Sequence, residues 1–368
     1  MSSKVFFIDF RTTPQNNMMA KLLSLMEAAG LDQIIRKRDL VALKLHFGEL
    51  GNAAFIRPIY LRTISGKVKA LGGVPFLTDA NTLYSGSRSD APGHLTTAVQ
   101  NGFSYAVVEA PLVIADGLRG KSEASVDVYG KHFESVYIGK EIVEADAFIS
   151  VAHFKGHDLS GFGGALKNTG MGSASRKGKL AMHSSVSPQV SAQDCIGCGE
   201  CVEHCSQQAL ALTDDTAAID QERCIGCGEC ILICPNEAIA VKWDQEIPVF
   251  LEAIVEYTAG VLKNKAGKSL FINFIADVSP ACDCYPSNDA PIVKNIGIAA
   301  GVDPVALDQA SVDLVNAEPA LAGTKLLANT EAGADKFKGL YPNVDWPIQL
   351  EYAETIGLGS RTYELISV

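Results

Sequence analysis

The sequence has no long hydrophobic run and no excess of positive charge. No window reaches the roughly 18 consecutive apolar residues that a membrane-spanning helix needs, and the N-terminal stretch MSSKVFFIDFRTTPQ lacks the apolar core of a secretory signal. Lysine and arginine number 31 against 42 aspartate and glutamate residues, which gives a formal net charge of -11. This balance disfavours nucleic acid and anionic membranes as partners. We therefore expect a cytoplasmic protein that binds neither.

Common nucleotide-binding fingerprints are also missing. The first apolar segment, KVFFIDF (4–10), is not followed by G-x-G-x-x-G, and G-x-x-x-x-G-K-[ST] occurs nowhere. These absences disfavour a nicotinamide enzyme of the ordinary Rossmann type. At roughly 150 residues per domain, a chain of 368 residues predicts two or three domains. Its 47% hydrophobic and 20% charged residues are typical of a globular protein.

Eight of the ten cysteines form a repeated pattern between residues 195 and 234. CIGCGECVEHCSQQAL (195–210) is followed by CIGCGECILICPNEAI (224–239), and each stretch contains C-x2-C-x2-C-x3-C. These short gaps indicate a metal or cluster site rather than disulfides, so an oxidising compartment is not expected. Zinc also binds four thiolates, but zinc ribbons pair two C-x2-C units. Between the two runs, ALALTDDTAAIDQER alternates apolar and polar residues around Asp-Asp, which predicts a hairpin.

The repeat resembles the bacterial two-cluster ferredoxin. In that pattern the first three cysteines of a run hold one [4Fe-4S] cluster and the fourth ligates the other. The resemblance implies two clusters in an inserted, small α+β ferredoxin-like domain at 192–243. Ser206 departs from the pattern, which usually has proline there. The implied ligand sets are Cys195, Cys198, Cys201 and Cys234 for one cluster, and Cys224, Cys227, Cys230 and Cys205 for the other.

Apolar, β-branched segments alternate with amphipathic segments on both sides of this insert. The alternation predicts one discontinuous α/β domain over 1–191 and 244–368, with a mainly parallel sheet flanked by helices. In DPVALDQ, Asp303 is expected to be the N-cap of a helix, and a direct role in the site is the alternative. Asp308 is expected to lie on the surface or to pair with a helix. The predicted strands are 4–10, 39–47, 73–81, 145–154 and 269–278.

Polar residues cluster where these predicted strands end, the place where α/β sheets bind ligands. Histidines there can act as acid–base groups or metal ligands, with a structural role as the alternative. The turn GFGGALKNTGMG (161–172) is expected to bind an anion through backbone N–H groups and lysine, a tight structural turn being the alternative. The candidate catalytic residues are His46, His153, His157 and Lys155; the candidate cofactor-binding residues are Lys44, Lys167, Asn168, Gly163 and Gly164; and Glu49, Asp79, Asn81 and Asp277 complete the predicted rim.

Cys282 and Cys284 stand in C-x-C spacing, which is too short for an unstrained disulfide. They are interpreted as a metal-ligand pair, a redox thiol pair or ordinary loop cysteines. The acidic neighbours Asp283 and Asp289 are expected to raise a thiol pKa here.

The motifs KLHFGE, HFKGHDLSGFGGALKNTGMG, CDCYPSND and GVDPVALDQ resemble the domain of unknown function 362 family. The resemblance covers nearly the whole chain and implies an iron-sulfur protein without an assigned reaction. GFGGALKN is also similar to the Gly-Gly turn before a lysine in nickel-pincer lactate racemases, which would place Lys167 at a nucleotide-derived cofactor.

Together these features predict an anaerobic iron-sulfur oxidoreductase. Two clusters would relay electrons between a redox partner protein, a ferredoxin or a reductase, and a small anionic substrate or cofactor at the rim. Lysines would hold the negative charge and histidines would move protons. An additional unidentified anionic cofactor or metal is part of this hypothesis. The alternatives are a non-catalytic electron carrier that docks a partner enzyme, and a redox-neutral enzyme with structural or sensing clusters.

Overall fold

The structure is a computed structural model, and it describes residues 2–84, 86–183, 188–224, 226–241 and 246–368. The strands are β1 (Ser3–Asp9), β2 (Leu40–Lys44), β3 (Val74–Asp79), β4 (Leu112–Ile114), β5 (Glu123–Asp127), β6 (Ser135–Gly139), β7 (Ala147–His153), β8 (Lys155–His157), β9 (Gly161–Gly163), β10 (Gln189–Val190), β11 (Leu210–Thr213), β12 (Thr216–Ile219), β13 (Ile239–Ala240), β14 (Ser269–Ile275), β15 (Gly297–Gly301) and β16 (Tyr363–Ser367). The helices are α1 (Met18–Ala28), α2 (Leu31–Ile34), α3 (Pro58–Ala70), α4 (Ala91–Gln100), α5 (Tyr105–Val108), α6 (Lys140–Glu144), α7 (Ala165–Ser173), α8 (Arg176–His183), α9 (Glu200–Glu203), α10 (Glu229–Ile233), α11 (Ile247–Leu262), α12 (Pro304–Ala317), α13 (Lys336–Leu340) and α14 (Pro347–Thr355).

A central mixed sheet has the strand order β16-β1-β15-β14-β7-β2-β3-β4. β15 is antiparallel to both of its neighbours, whereas the other neighbouring pairs are parallel. The predicted mainly parallel α/β sheet is confirmed, while the antiparallel strand β15 was not predicted. Because β14, β7, β2 and β3 run the same way, their carboxyl ends lie along one edge of the sheet.

Helices cover both faces of this sheet. Along β7, Phe148 belongs to the apolar core shared with α7, α11 and α12, and the next residue, Ile149, belongs to the core shared with α1 and α3. Successive side chains of a strand point to opposite faces, so a strand buried on both sides is apolar throughout. None of the described helices is both long enough and apolar enough to cross a membrane.

The two aspartates of DPVALDQ have different environments. Asp303 is the N-cap of α12, because its carboxylate accepts from the backbone N–H groups of Val305 and Ala306 at 2.9 and 3.0 Å. This confirms the predicted cap. Asp308 is fully buried and accepts from the first N–H groups of α7, so the expected pairing with a helix is confirmed and the alternative surface position was wrong.

Residues 188–241, called here the cysteine-rich segment, form two small antiparallel sheets. β11 and β12 pair around Asp214 and Asp215, whose φ angles of 49° and 60° close a tight turn, which confirms the predicted hairpin. β10 pairs with β13. The proposed domain boundary at 191/192 falls directly after β10, whereas residue 1 and the boundary at 243/244 lie outside the described residues. The division into domains stays a prediction.

Candidate functional site

A cavity of about 780 Å³ lies at the carboxyl ends of the parallel strands. Two rim residues predicted from the sequence point elsewhere: Asn81 donates to Asp116 at 2.9 Å, and Asp277 lies 4.0 Å from Arg57. Glu49, Asp79, Cys282 and Cys284 line this main cavity. Every candidate catalytic and cofactor-binding residue also lines it, namely His46, His153, His157, Lys155, Lys44, Lys167, Asn168, Gly163 and Gly164.

Asp283 is fully buried and holds two of the candidate catalytic residues. Its carboxylate lies 2.8 Å from Nδ1 of His153 and 3.5 Å from Nζ of Lys155. Burial alone would raise the pKa of Asp283, but these two neighbours outweigh it and hold the pKa below its usual range. Nε2 of His153 lies 2.9 Å from the carbonyl oxygen of Ala276. Both ring nitrogens of His153 thus face protein acceptors, and the ring positions Asp283.

His46 and His157 each use one ring nitrogen to bind the backbone. Nδ1 of His46 accepts from Gly48 N at 2.9 Å, and Nδ1 of His157 accepts from Ser160 N at 3.2 Å. Burial, helped by nearby cationic side chains, lowers the pKa of His46 to about 3 and also lowers the pKa of His157. Both rings are therefore neutral near pH 7 and carry their proton on Nε2. Each can donate a hydrogen bond without adding charge.

Lys44 and Arg88 are buried cations held by carboxylates. Nζ of Lys44 lies 3.0 Å from Oδ1 of Asp79, and Nε of Arg88 donates to Oε2 of Glu49 at 3.0 Å. Burial lowers the pKa of Lys44 even though Asp79 opposes the shift. Sequence reasoning missed Arg88, which follows no predicted strand end. The charge of Lys44 is already balanced by the protein, so its role towards a ligand stays a prediction.

Helix α8 supplies two further residues of the main cavity that sequence reasoning missed, Lys179 and His183. They are four positions apart, so they lie on the same face of the helix. That spacing is the signal that could have found them. Burial lowers the pKa of Lys179 to about 8.

The glycine-rich turn opens α7, but the first N–H groups of this helix bind a carboxylate of the protein. Ala165 N and Leu166 N donate to the two oxygens of Asp308 at 2.7 and 2.9 Å. Burial raises the pKa of Asp308 to about 6 against these hydrogen bonds. A Cβ at Gly164 would lie 2.3 Å from Oδ1 of Asp308, so this close approach requires glycine. These two N–H groups bind the protein itself, and anion binding by the rest of the turn stays a prediction.

Asn168 ties α7 to the sheet. Its Nδ2 donates to the carbonyl oxygen of Lys44 at 3.0 Å and to Oγ of Ser150 at 2.8 Å, and its Oδ1 accepts from Nζ of Lys44 at 3.1 Å. A Cβ at Gly172 would lie 2.4 Å from the same Nζ. These contacts fix the distance between α7 and β2 and thereby shape the wall of the main cavity.

Lys167 extends from α7 toward the C-x-C loop. Its Nζ lies 3.7 Å from Sγ of Cys282, and none of the carboxylates in the described ranges is within ion-pair distance of it. Its side chain is half-buried. Lys167 is therefore the lysine in this wall that is best placed to meet an anionic ligand.

The two cysteines of the C-x-C loop have opposite acidities. A hydrogen bond with Cys284, then the charge of Lys167 and a hydrogen bond with His157, lower the pKa of Cys282 well below its usual range. The same hydrogen bond raises the pKa of Cys284. The expectation that acidic neighbours raise a thiol pKa was wrong for Cys282, because Asp283 points away from the sulfur.

Two small cavities in the cysteine-rich segment are each lined by four cysteines. Backbone N–H groups donate to three of these sulfurs, from Ala217 to Cys195, from Ala209 to Cys205 and from Ala238 to Cys234, at 3.2 to 3.4 Å. Across the described ranges, no three His, Cys, Asp or Glu side chains converge on the position of one metal ion. The first cavity is lined by Cys195, Cys198, Cys201 and Cys234, and the second by Cys205, Cys224, Cys227 and Cys230.

The second cysteine cavity lies beside the main cavity. Leu83 lines the main cavity and packs in the same apolar cluster as Cys230. A Cβ at Gly228, in the wall of the second cysteine cavity, would lie 3.2 Å from Cδ1 of Leu83 and 2.9 Å from Cδ of Arg176. Leu83 thus packs against the walls of both spaces.

Arg176 is a fully buried cation at this junction. Its Nη1 donates to the carbonyl oxygen of Arg119 at 2.7 Å and its Nε to that of Thr82 at 3.3 Å. Nearby, Nη1 of Arg119 and Nζ of Lys121 lie 2.9 and 3.1 Å from the carboxylate of Glu229. These contacts dock the cysteine-rich segment on the α/β part of the chain.

Comparison with known proteins gives the family of the chain. The family described as Domain of unknown function (DUF362) matches residues 41–313. The chain belongs to this family. No curated protein matches this DUF362 chain.

Two solved structures resemble this DUF362 protein distantly. One is the lactate racemase apoprotein from Thermoanaerobacterium thermosaccharolyticum, with 14% identity, 75% of this chain covered and a TM-score of 0.39. The other is a Thermotoga maritima protein, with 8% identity, 94% of this chain covered and a TM-score of 0.38. This chain spans 51% of the first chain and 60% of the second. The expected similarity of Lys167 to a racemase cofactor lysine stays a prediction.

Proposed function

We propose that this DUF362 protein is an iron-sulfur oxidoreductase. Two [4Fe-4S] clusters in the cysteine-rich segment would relay electrons to a small anionic substrate or cofactor in the main cavity. The observation that carries the proposal is the grouping of eight cysteines into two fours, each around its own small cavity, with the last cysteine of each run exchanged between the groups. This crossed grouping is the ligation pattern of a two-cluster ferredoxin.

The residues around both small cavities fit a [4Fe-4S] cube. Gly197, Gly199, Gly226 and Gly228 have φ angles of 66° to 79°, a conformation that lets each loop turn tightly around its sulfurs. The N–H groups that donate to cysteine sulfurs would stabilise the negative charge of a cluster. The cysteine spacing also favours clusters over zinc, because zinc ribbons pair two C-x2-C units rather than running three cysteines at x2 spacing.

The positions of the cysteines support a route for electrons. The first cavity includes the exposed Cys198, next to Ile196 with 64% of its surface accessible, and so suits exchange with a redox partner protein. Residues 192–241 contain nine aspartates and glutamates but one arginine, which favours a partner with a cationic surface. The second cavity adjoins Leu83 and the main cavity. When bound, each cluster supplies or accepts one electron at a time.

The main cavity would hold the electron acceptor. Lys167 is placed to bind an anionic group, since Lys44, Lys155 and Arg88 already face carboxylates. The Nε2–H group of His46 can donate a hydrogen bond to an oxygen atom on which negative charge develops during reduction. His153 would position Asp283, and Asn168 would position Lys44, rather than contact the ligand.

Pairs of cysteine substitutions test the crossed grouping in anaerobically purified protein. Wild-type protein is expected to contain about eight iron and eight sulfide ions per chain, as two such clusters require. C198A/C234A removes two cysteines of the first group and is expected to retain about half of the iron. C198A/C205A, the matched control, removes one cysteine from each group and is expected to lose most of it. The reverse order, or far fewer than eight iron ions in the wild type, would contradict the proposal.

Substitution of Lys167 tests the ligand side. With inorganic phosphate as the probe in calorimetric titrations, K167A is expected to weaken binding about tenfold or more, since hydrogen bonds to charged groups contribute about 1.5–3 kcal/mol. K37A removes the same charge from an exposed position outside the main cavity and is expected to leave binding unchanged. Equal weakening in both variants would show that Lys167 is not the anion-binding group.

A further inference from the structure

We infer that Cys282 and Cys284 form a dithiol–disulfide centre in the main cavity, with Cys282 as the nucleophile and Cys284 as the resolving thiol. This centre would collect single electrons from the clusters and pass them in pairs to a disulfide-type substrate. The electron supply in this inference rests on the proposed function, whereas the thiol chemistry does not.

The C-x-C loop holds both sulfurs toward the main cavity. Tyr285 N donates to the carbonyl oxygen of Cys282 at 3.1 Å, which closes a turn that brings the two cysteines together. Both cysteines line the cavity. Asp283, between them, points to the opposite side, where it contacts His153 and Lys155. Glu49 N also donates to the carbonyl oxygen of Asp283 at 2.9 Å, which fixes the loop further.

The surroundings distinguish the two thiols. Nζ of Lys167 lies 3.7 Å from Sγ of Cys282, and His157, which lines the same cavity, also lowers the pKa of this thiol. A thiolate next to a cation and a hydrogen-bond donor is the reactive form in thiol–disulfide exchange. Cys284 is more exposed than Cys282 and keeps its proton, because a hydrogen bond with Cys282, then burial, then the charge on Cys282 raise its pKa. Cys282 therefore attacks first.

The chemistry follows in two balanced steps. The Cys282 thiolate attacks one sulfur of a small disulfide, a new S–S bond forms, the substrate S–S bond breaks, and the first thiolate leaves and takes a proton from water. Cys284 then loses its proton and attacks the sulfur of Cys282, which releases the second substrate thiol and forms the Cys282–Cys284 disulfide. Two electrons from the protein have reduced the substrate. Two one-electron transfers from reduced clusters, with one proton from water, would restore the Cys282 thiolate and the Cys284 thiol.

A short segment of chain connects this centre to the second cysteine cavity. Leu83 packs in the apolar cluster of Cys230, and its neighbour Tyr84 donates from its hydroxyl to the carbonyl oxygen of Cys284 at 3.1 Å. A disulfide in C-x-C spacing is strained and is therefore readily reduced. The described lining of the main cavity contains no other side-chain pair that can exchange two electrons.

The thiol chemistry is tested with anaerobic protein that contains its iron and with 4,4'-dithiodipyridine as the probe. Wild-type protein with oxidised clusters is expected to release two thiopyridone molecules per chain in a fast phase. C284S is expected to release one and to retain a thiopyridine adduct on Cys282, located by mass spectrometry. C282S is expected to lose the fast phase. Two molecules released by C284S, or an unchanged fast phase in C282S, would overturn the inference.

The electron supply is tested separately. After reduction of the clusters with dithionite and removal of the excess, the probe is expected to abolish the paramagnetic signal of the reduced clusters in wild-type protein but not in C282S or C284S. A signal that survives in the wild type, with the fast phase intact, would overturn the relay to the dithiol. Failure of the proposed function is distinguishable from both results, because it would appear as missing iron while the fast phase persists.

Discussion

Replacing Asp283 with asparagine removes a buried negative charge that pairs with Lys155 and is hydrogen-bonded to His153. The Asp283 carboxylate is fully buried, 2.8 Å from His153 and 3.5 Å from Lys155. Loss of one partner of a buried pair costs about 3–5 kcal/mol, because the other charge stays buried without compensation. At roughly 2–4 °C per kcal/mol, the midpoint of thermal unfolding should fall by roughly 6–20 °C.

Circular dichroism of anaerobically purified D283N measures this shift, with D289N as the matched control. Asp289 lies in the same loop but is exposed and pairs with Lys325 at 3.4 Å. D289N makes the same chemical change, and its unfolding midpoint should stay within error of the wild type. If D283N unfolds at the same temperature as D289N, the buried pair does not stabilise the loop as argued here.

The pH dependence of the same variant provides an independent measurement. The folded-state pKa of Asp283 lies below the unfolded value of 3.8. Such a group stabilises the fold above its unfolded pKa, and the stabilisation is lost as pH falls through the folded pKa. Wild-type protein should therefore lose stability relative to D283N as the pH is lowered below about 4. A constant difference between the two proteins from pH 7 to pH 3 would refute this assignment.

Two further substitutions test the wall of the main cavity and the junction with the cysteine-rich segment. G164A places a Cβ against Asp308 and should lower the free energy of unfolding by about 1–3 kcal/mol. G66A, the control, has open space around it in α3 and should raise the free energy of unfolding by about 0.5–1 kcal/mol. Equal midpoints of thermal unfolding in the two variants would show that the close approach at Gly164 is not required. R176Q removes a buried cation beside Gly228 and should lower the reduction potential of the second cluster by on the order of tens of millivolts. R36Q, at an exposed position, should leave the reduction potential of the second cluster unchanged. A redox titration followed by paramagnetic resonance measures both potentials, and equal values in R176Q and R36Q would contradict the expected effect of Arg176.

Local patterns predicted much of the fold. The buried strands and their helices follow from apolar periodicity, and Asp303 was found as an N-cap because its carboxylate binds N–H groups two and three residues away. The rule that α/β sheets carry their sites at strand carboxyl ends brought His46, His153 and Cys282 to one cavity. In each case the determining interaction is short in sequence or repeated along it.

Contacts between distant segments decided what each side chain does. Asp308 caps α7 from 142 and 143 residues away, so the glycine-rich turn that looked like a ligand loop encloses a carboxylate of the protein itself. Asp283 turns away from the thiols to His153, 130 residues distant, and the pKa of Cys282 is lowered by Cys284 and then by Lys167. The sequence by itself determined which chemical groups are present and which strand ends carry them. Only the tertiary structure decided which charges neutralise one another, because burial and pairing depend on neighbours that the chain brings together from afar.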